Sequence, residues 1–371
     1  AMRRSLKLLA ALGLLVALLR MLEEGEELPE EFKGRVPAPA AAMPSLALPS
    51  GGRMPMVGLG TAGLGARRML HFLLSGGRHL DTAQLYRNHA DVRRAVRWAG
   101  ELGVAREEIF VVTKIHGGLF GRESAARWVD AMLNETGLEY VDLVLLHGAA
   151  AEPGGSWPVV SEHMPCGLPA QCRRETWEAL SAVLPSGKIR DLGVSNFGVR
   201  QMREIMALGA APIAANQLEY HPVVLEPERK AVEFCHHHGI AVTAYSPLGT
   251  GGIVNWFSGS DELPVKALAA AHGKTPGQVM LRWATQKNIS VIPKSSRPER
   301  QRENMDIFGF ELSAAEMASI DGIEWRATVA PNPWDSCDVP DEIWSGGEAG
   351  FWKRVEAWVQ AKKAEAKLPQ K

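Results

Sequence analysis

From residue 54 onward the chain repeats one unit: a short apolar run, a polar turn, then a helical pattern. Runs with strand character lie at Val57 to Gly60, His79 to Asp81, Ile109 to Lys114, Asp142 to His147, Arg190 to Ser195, Ile213 to Gln217, Ile240 to Ser246 and Ile289 to Lys294. Helical stretches stand between them, among them "ESAARWVDAMLNETG", "RRETWEALSAVLPSGK", "EPERKAVEFCHHHG" and "TPGQVMLRWATQKN". Several of these stop on glycine or asparagine, the residues that tolerate the left-handed turn ending a helix. Alternation of this kind calls for a parallel sheet with helices outside, and eight units are the number that closes into a barrel. The expected fold class is therefore α/β, a (β/α)8 TIM barrel over residues 51–325, with an N-terminal apolar helix and a C-terminal helical extension.

A closed parallel barrel puts its chemistry where the strands end, because that face carries the loops that build a site. Asp81, Lys114, His147, Ser195 with Asn196, Gln217, Tyr245 with Ser246, and Lys294 with Ser295 each end an expected strand. One polar residue at a strand end is an ordinary turn former; together these make a ring of polar side chains around one mouth. Four residues form a chemical unit. Tyrosine, with a reference pKa of about 10, exchanges a proton poorly near neutrality, and an ammonium beside it favours the phenolate. Lys114 fits that part for Tyr86. A buried lysine keeps its own proton only if paired, and Asp81 supplies the opposite charge. His147 can hydrogen-bond a substrate oxygen and fix its direction. The competing reading of the same residues is a buried Lys–Asp ion pair with a packed tyrosine.

The motifs "GLGT", "HLDTAQLYRN", "VVTKI", "DLVLLH", "WEALSAVLPSGKIRDLGVSNF", "ANQLEYHP", "AYSPLG", "LRWATQKNISVIPKSSRPERQRENM" and "FELSAAEM" follow in that order. In them the chain resembles the aldo-keto reductase superfamily over about residues 50–325. The resemblance implies reduction of aldehydes and ketones with NADPH, on a catalytic tetrad of Asp81, Tyr86, Lys114 and His147. It also implies that Ser195, Asn196 and Gln217 hydrogen-bond the nicotinamide carboxamide and that Tyr245 stacks under the ring. Gly60 and Thr61 of "GLGT" match cofactor-side positions. Ser246 and Leu248 match positions around the pyrophosphate, and Lys294, Ser295, Arg300 and Asn304 those around the adenosine and its 2'-phosphate. A lysine and an arginine on one phosphate favour the phosphorylated cofactor through charge-assisted hydrogen bonds.

The chain also departs from the family. After His147 the usual Trp and Pro give way to "GAAAEPGGSWPVVSEHMPCGLPAQC", a loss of the tryptophan at Gly148 and a long insertion beside the expected carbonyl pocket. Around the tyrosine, in "YRNHADV", Arg87 follows Tyr86 and His89 stands in the place of the family's glutamate. These changes bear on substrate scope more than on the tetrad.

Other patterns compete and lose. "GLGTAG" at 58–63 has the glycines of a dinucleotide-binding turn, with Asp81 about 20 residues on, but a lone match is weak against eightfold alternation. "GVSNF" lacks the final glycine of a nucleophile elbow. Consecutive histidines in "HHH" at 236–238 point in different directions on a helix, so no metal site is expected. No tyrosine has a lysine four residues later, which argues against the other common Tyr and Lys reductase arrangement.

The flanks set further expectations. Residues 1–50 combine a basic start, twelve uncharged residues from Leu8 to Leu19, an acidic run and a Pro/Ala stretch that reads as a linker. The apolar core is shorter than the roughly 20 residues of a spanning helix. A signal anchor, a helix lying on a membrane, a partner-binding helix and a cleaved leader all stay open at residues 2–22; membrane-associated, organellar or secretory placement is expected, with cytoplasmic as the alternative. Residues 326–371 form a separate loop and helical tail. Charge nearly cancels, with 41 Lys and Arg against 42 Asp and Glu, which excludes a basic nucleic-acid field and favours a small-molecule carbonyl substrate. Cys166, Cys172, Cys235 and Cys337 form no CxxC pair; only Cys166 and Cys172 are close enough to invite a bridge, and free thiols are expected there as well. The rival function is a non-catalytic or cofactor-sensing barrel serving as accessory subunit of a membrane or organellar complex. Oligomeric state is left open.

Overall fold

The structure is a computed structural model describing residues 27–40, 43–149, 166, 169–224, 226–261 and 263–323, with single positions between 353 and 361. A short antiparallel hairpin comes first, β1 (Ser45–Ala47) and β2 (Arg53–Pro55). The repeating units follow: β3 (Leu59–Gly60), α1 (Ala66–Leu74), β4 (His79–Asp81), α2 (His89–Glu101), β5 (Phe110–Ile115), α3 (Arg122–Thr136), β6 (Val141–Leu146), α4 (Pro169–Ser181), β7 (Ile189–Ser195), α5 (Val199–Met206), β8 (Ala215–Glu219), α6 (Glu226–His237) and β9 (Ala241–Tyr245). Then come α7 (Gly252–Gly259), α8 (Pro264–His272), α9 (Pro276–Gln286), β10 (Ile289–Val291), α10 (Pro298–Met305) and α11 (Ala314–Asp321).

Strands β3 to β10 lie in sequence order in one sheet, every neighbouring pair parallel. A parallel bridge from Val57 to Val291 joins the two edges, with Gly58 N–H donating to the Val291 carbonyl at 2.8 Å and Val291 N–H to that of Met56 at 2.8 Å. The expected eight-stranded barrel is thus present. Strand β10 stops earlier than expected because Pro293 has no N–H to continue the ladder.

Local chemistry accounts for the helix ends. Helix α9 starts in "TPGQ", where the Thr275 hydroxyl accepts from Gln278 N–H and the Gln278 side chain accepts from Thr275 N–H. Helix α11 begins with the same reciprocal pair at Ser313 and Glu316. Gly137 after α3 and Asn288 after α9 sit in the left-handed region, at φ of 61° and 60°.

Strand alternation sorts the core into two. Val111, Ile115, Val144 and Leu146 face outward into the helices, in a cluster with Trp128, Trp177 and Trp283. Phe110, Val112, Leu143, Leu145 and Ala215 face inward and pack with Leu46, Leu48 and Met54. The hairpin therefore lies across the N-terminal end of the barrel as a floor. Ser50 fastens it: its N–H donates to Asp191 Oδ1 at 3.1 Å, and its hydroxyl to Asp191 Oδ2. This corrects the reading of the Pro/Ala stretch as a linker, since strand structure begins inside it at Ser45. Alternating Leu46 and Met54 supply an apolar face that only the barrel interior covers.

A second correction concerns the cysteines. Cys166 and Cys172 form a disulfide, with Cα atoms 5.2 Å apart, where free thiols were expected. Helix α4 starts between them and brings Cys172 within bridging distance of Cys166, which the six-residue spacing permitted but did not decide. The expected apolar helix at 2–22 lies outside the described residues, as does most of the insertion after His147. Of the expected C-terminal extension, positions 353, 354, 357, 358 and 361 are helical. Among the described residues no helix is long and apolar enough to cross a membrane, and no cluster of His, Cys, Asp and Glu could hold a metal ion.

Candidate active site

The alternation that sends Phe110 and Val112 into the barrel sends Lys114 there too, at the C-terminal end of β5. By the same count Asp81 on β4, His147 just past β6, Ser195 on β7, Gln217 on β8 and Tyr245 on β9 project inward at one mouth. Neighbouring strands hold them in step: Asp81 pairs with Val112, Lys114 with Leu145, Ser195 with Gln217.

At the centre Lys114 Nζ donates to Asp81 Oδ1 at 2.5 Å, both side chains being 1% exposed. It also donates to the Thr82 carbonyl at 3.0 Å and approaches the Tyr86 hydroxyl at 3.5 Å. Burial pushes the Lys114 ammonium down, but the Asp81 carboxylate, with help from Tyr86, outweighs it, so the lysine stays charged above its ordinary range. The second oxygen of Asp81 accepts from Gln217 Nε2 at 2.8 Å. The carboxylate is thereby locked toward the lysine.

The His147 and Tyr86 rings meet edge to face at 5.9 Å. Burial, with the charges of Lys114 and His116, drives His147 well below the usual histidine range, so its imidazole is neutral. Its Nδ1 is buried without a hydrogen-bond partner among the described residues. Two main-chain ties hold this residue and a third holds the segment after it: its N–H donates to the Ile115 carbonyl at 3.0 Å, its carbonyl accepts from Asn196 Nδ2 at 3.2 Å, and Arg173 donates to the Ala149 carbonyl at 3.0 Å two residues on.

The residues assigned to the nicotinamide end are also together. Asn196 joins its neighbours, accepting from the Tyr245 hydroxyl at 3.0 Å while donating to His147. The Ser195 hydroxyl donates to the Gln217 carbonyl at 3.0 Å. Asn196 and Ser246, just past β7 and β9, and Arg87, after the turn that bears Tyr86, take left-handed φ angles of 61°, 45° and 52°, sharp redirections that surrounding contacts must enforce. Thr61 has a structural contact of its own. It is fully buried, with its hydroxyl on the Asp81 carbonyl at 2.8 Å, so its side chain supports the aspartate from behind. A Cβ on Gly60 would meet the Ile292 carbonyl at 2.8 Å, which accounts for glycine there by barrel packing. Lys294 and Arg300 are exposed, Ser295 and Leu248 half-buried, and Asn304 buried.

Several contributors were not singled out from the sequence. Asn88 donates to the Thr61 carbonyl at 2.8 Å and accepts from the Thr82 hydroxyl at 2.7 Å, joining β3 to the turn that bears Tyr86. Gln301 reaches from α10 to the Ser295 carbonyl at 2.9 Å and to the Arg68 carbonyl at 3.1 Å, fixing the loop that carries Lys294. Asn88 lies within the quoted tyrosine motif, so its position was a usable signal; Gln301 carried none.

A parallel barrel with a buried Lys–Asp pair, a tyrosine and a neutral histidine at its C-terminal mouth defines an oxidoreductase-type barrel. The aldo/keto reductase family profile matches residues 57–324, and the chain belongs to that family. An aldo-keto reductase of Mycolicibacterium vanbaalenii is 36% identical over 298 residues, covering 79% of this chain and 97% of that protein. Morphine 6-dehydrogenase of Pseudomonas putida is 34% identical over 309 residues, covering 80% and 96%. Among solved structures, the Bombyx mori aldo-keto reductase in complex with NADP shares 29% identity at a TM-score of 0.66, over 76% of this chain and 93% of that one.

Proposed function

We propose that this protein reduces an aldehyde or ketone to the alcohol with NADPH, and that Tyr86 delivers the proton. The observation that carries the reading is the charged Lys114, 2.5 Å from Asp81 and 3.5 Å from the Tyr86 hydroxyl, inside a mouth lined by neutral polar groups. When bound, the reduced nicotinamide supplies a hydride for the carbonyl carbon. The mouth fits such a group: an aromatic face at Tyr245, amide and hydroxyl groups at Asn196, Gln217 and Ser195, and exposed cations at Lys294 and Arg300 for a phosphate. The NADP complex of the Bombyx mori relative supports the same cofactor class.

The residues then divide the work. Tyr86 donates its hydroxyl proton to the carbonyl oxygen as negative charge develops there, and Lys114 stabilises the phenolate left behind. Asp81, held by Lys114 and Gln217, keeps the ammonium charged in a buried place. Neutral His147 directs the oxygen by hydrogen bonding without competing as an acid. The test is Tyr86→Phe with a generic aldehyde such as nitrobenzaldehyde. Loss of a positioned general acid should lower kcat by about 10²–10⁴-fold. Near-wild-type turnover would remove Tyr86 from its role.

A further inference from the structure

Tyr86 stands on a three-residue helical turn, Gln84–Tyr86, too short to fix a side chain by its own hydrogen bonds. The next residue, Arg87, takes a left-handed φ of 52°, a conformation that persists only where the flanks enforce it. Those flanks are fastened at three places. Trp128 Nε1 on α3 donates to Gln84 Oε1 at 2.8 Å before the tyrosine. Asn88 ties the chain to Thr61 and Thr82 after it. His89 then bridges two further elements, with Nε2 at 2.9 Å from Thr113 Oγ1 on β5 and Nδ1 at 2.7 Å from Glu135 Oε2 on α3.

Thr113 precedes Lys114, and the two side chains leave β5 on opposite faces, Lys114 inward and Thr113 outward. His89 therefore grips the outer face of the residue whose neighbour presents the ammonium, three positions after the tyrosine that the ammonium serves. We propose that His89 is a positioning residue for Tyr86, and that it forms with Glu135 a matched pair taking over the place of the family's glutamate. The proposal rests on Tyr86 as proton donor.

A buried imidazole is tolerated when both nitrogens are satisfied. His89 is 4% exposed, and one neutral tautomer satisfies both: Nδ1–H donates to Glu135, while Nε2 accepts from the Thr113 hydroxyl. Burial lowers its pKa against the opposing pull of Glu135, with Lys114 adding to the lowering, so this neutral form is the resident one. A carboxylate at position 89 would instead face the Glu135 carboxylate across the same 2.7 Å contact, with no proton between them. A glutamate at position 89 is thus disfavoured beside Glu135 in this chain.

The experiment compares His89→Gln, His89→Ala, His89→Glu and the double variant His89→Glu/Glu135→Gln. Steady-state kinetics with nitrobenzaldehyde are normalised to folded sites counted by NADPH fluorescence quenching. His89→Gln, which can donate and accept at the same two partners, should keep kcat within about threefold. His89→Ala should lower kcat by about tenfold or more with KM little changed, His89→Glu by at least as much, and the double variant should recover most of the loss, each tenfold step corresponding to about 1.4 kcal/mol. Hydrogen exchange supplies a readout independent of turnover: in His89→Ala, residues 84–88 should exchange at least tenfold faster while α9 is unchanged. Wild-type-like kcat in His89→Glu, or unaltered exchange at 84–88 in His89→Ala, overturns the proposal. Absence of wild-type turnover alongside faster exchange in the variant would instead sink the reductase reading and leave the clamp standing.

Discussion

Asp81→Asn separates the two opposing influences on Lys114, and its signature lies in the pH dependence of stability. In the wild type the pair is 1% exposed on both sides at 2.5 Å, and Asp81 more than offsets the burial of the ammonium. Because the folded Lys114 pKa is raised, its contribution is fully present below the ordinary lysine value of about 10.4 and is lost as pH rises through the folded value. Between pH 7 and 10 that contribution is flat. Replacing Asp81 by asparagine keeps the shape and removes the charge, leaving burial opposed by Tyr86 without the carboxylate, so the direction of the shift should reverse. At pH 7 the variant should lose about 3–5 kcal/mol, the cost of breaking one side of a buried pair. Above its depressed folded pKa the folded Lys114 is neutral while the unfolded chain still binds a proton. Stability of the variant should then rise with pH by up to about 1.4 kcal/mol per unit. Urea unfolding of both proteins at several pH values from 7 to 10 reads the gap directly. The gap should be widest near neutrality and narrow toward pH 10. A gap of constant size across that range would refute the claim that Asp81 keeps Lys114 charged.

Arg300→Ala should weaken NADPH binding by about 10–100-fold, the worth of a charge-assisted hydrogen bond of roughly 1.5–3 kcal/mol, with NADH little affected. Fluorescence quenching titrations with both cofactors check this, and equal losses would take the 2'-phosphate away from Arg300. Gly193→Ala would place a Cβ 2.5 Å from the Ala215 carbonyl and 2.6 Å from Leu145 Cδ2, inside the barrel. Overpacking of this kind costs about 1–3 kcal/mol, and the unyielding partner is main chain, so the urea midpoint should fall clearly; an unchanged midpoint would contradict the close approach of β7 and β8.

The barrel was legible because strand length and helix punctuation recur with one period. Asp81, Lys114, His147, Ser195, Gln217 and Tyr245 were legible as a group because each lies within two residues of a strand's C-terminal end, and strand alternation sends them to the same side. The inward role of the Thr61 hydroxyl was not legible, because a motif gives the residue and not the direction of its side chain. Its hydroxyl faces the Asp81 carbonyl. The floor hairpin was missed because β1 and β2 have only three residues each, flanked by Pro, Ala and Gly, and little in so short a segment separates a strand from a tether. The Cys166–Cys172 bridge depends on where a helix begins, and Gln301 and Glu135 act across distances that local patterning does not encode.

The hairpin across the N-terminal end has a kinetic meaning. With Leu46 and Met54 packed against Phe110, Leu143 and Leu145, the barrel is a cup rather than a pipe. Whatever reaches Lys114 arrives through the same rim by which it must depart. On the proposed reading, an alcohol still seated beside Tyr86 would bar the next carbonyl compound from entering, and clearing that rim would become part of every turnover cycle.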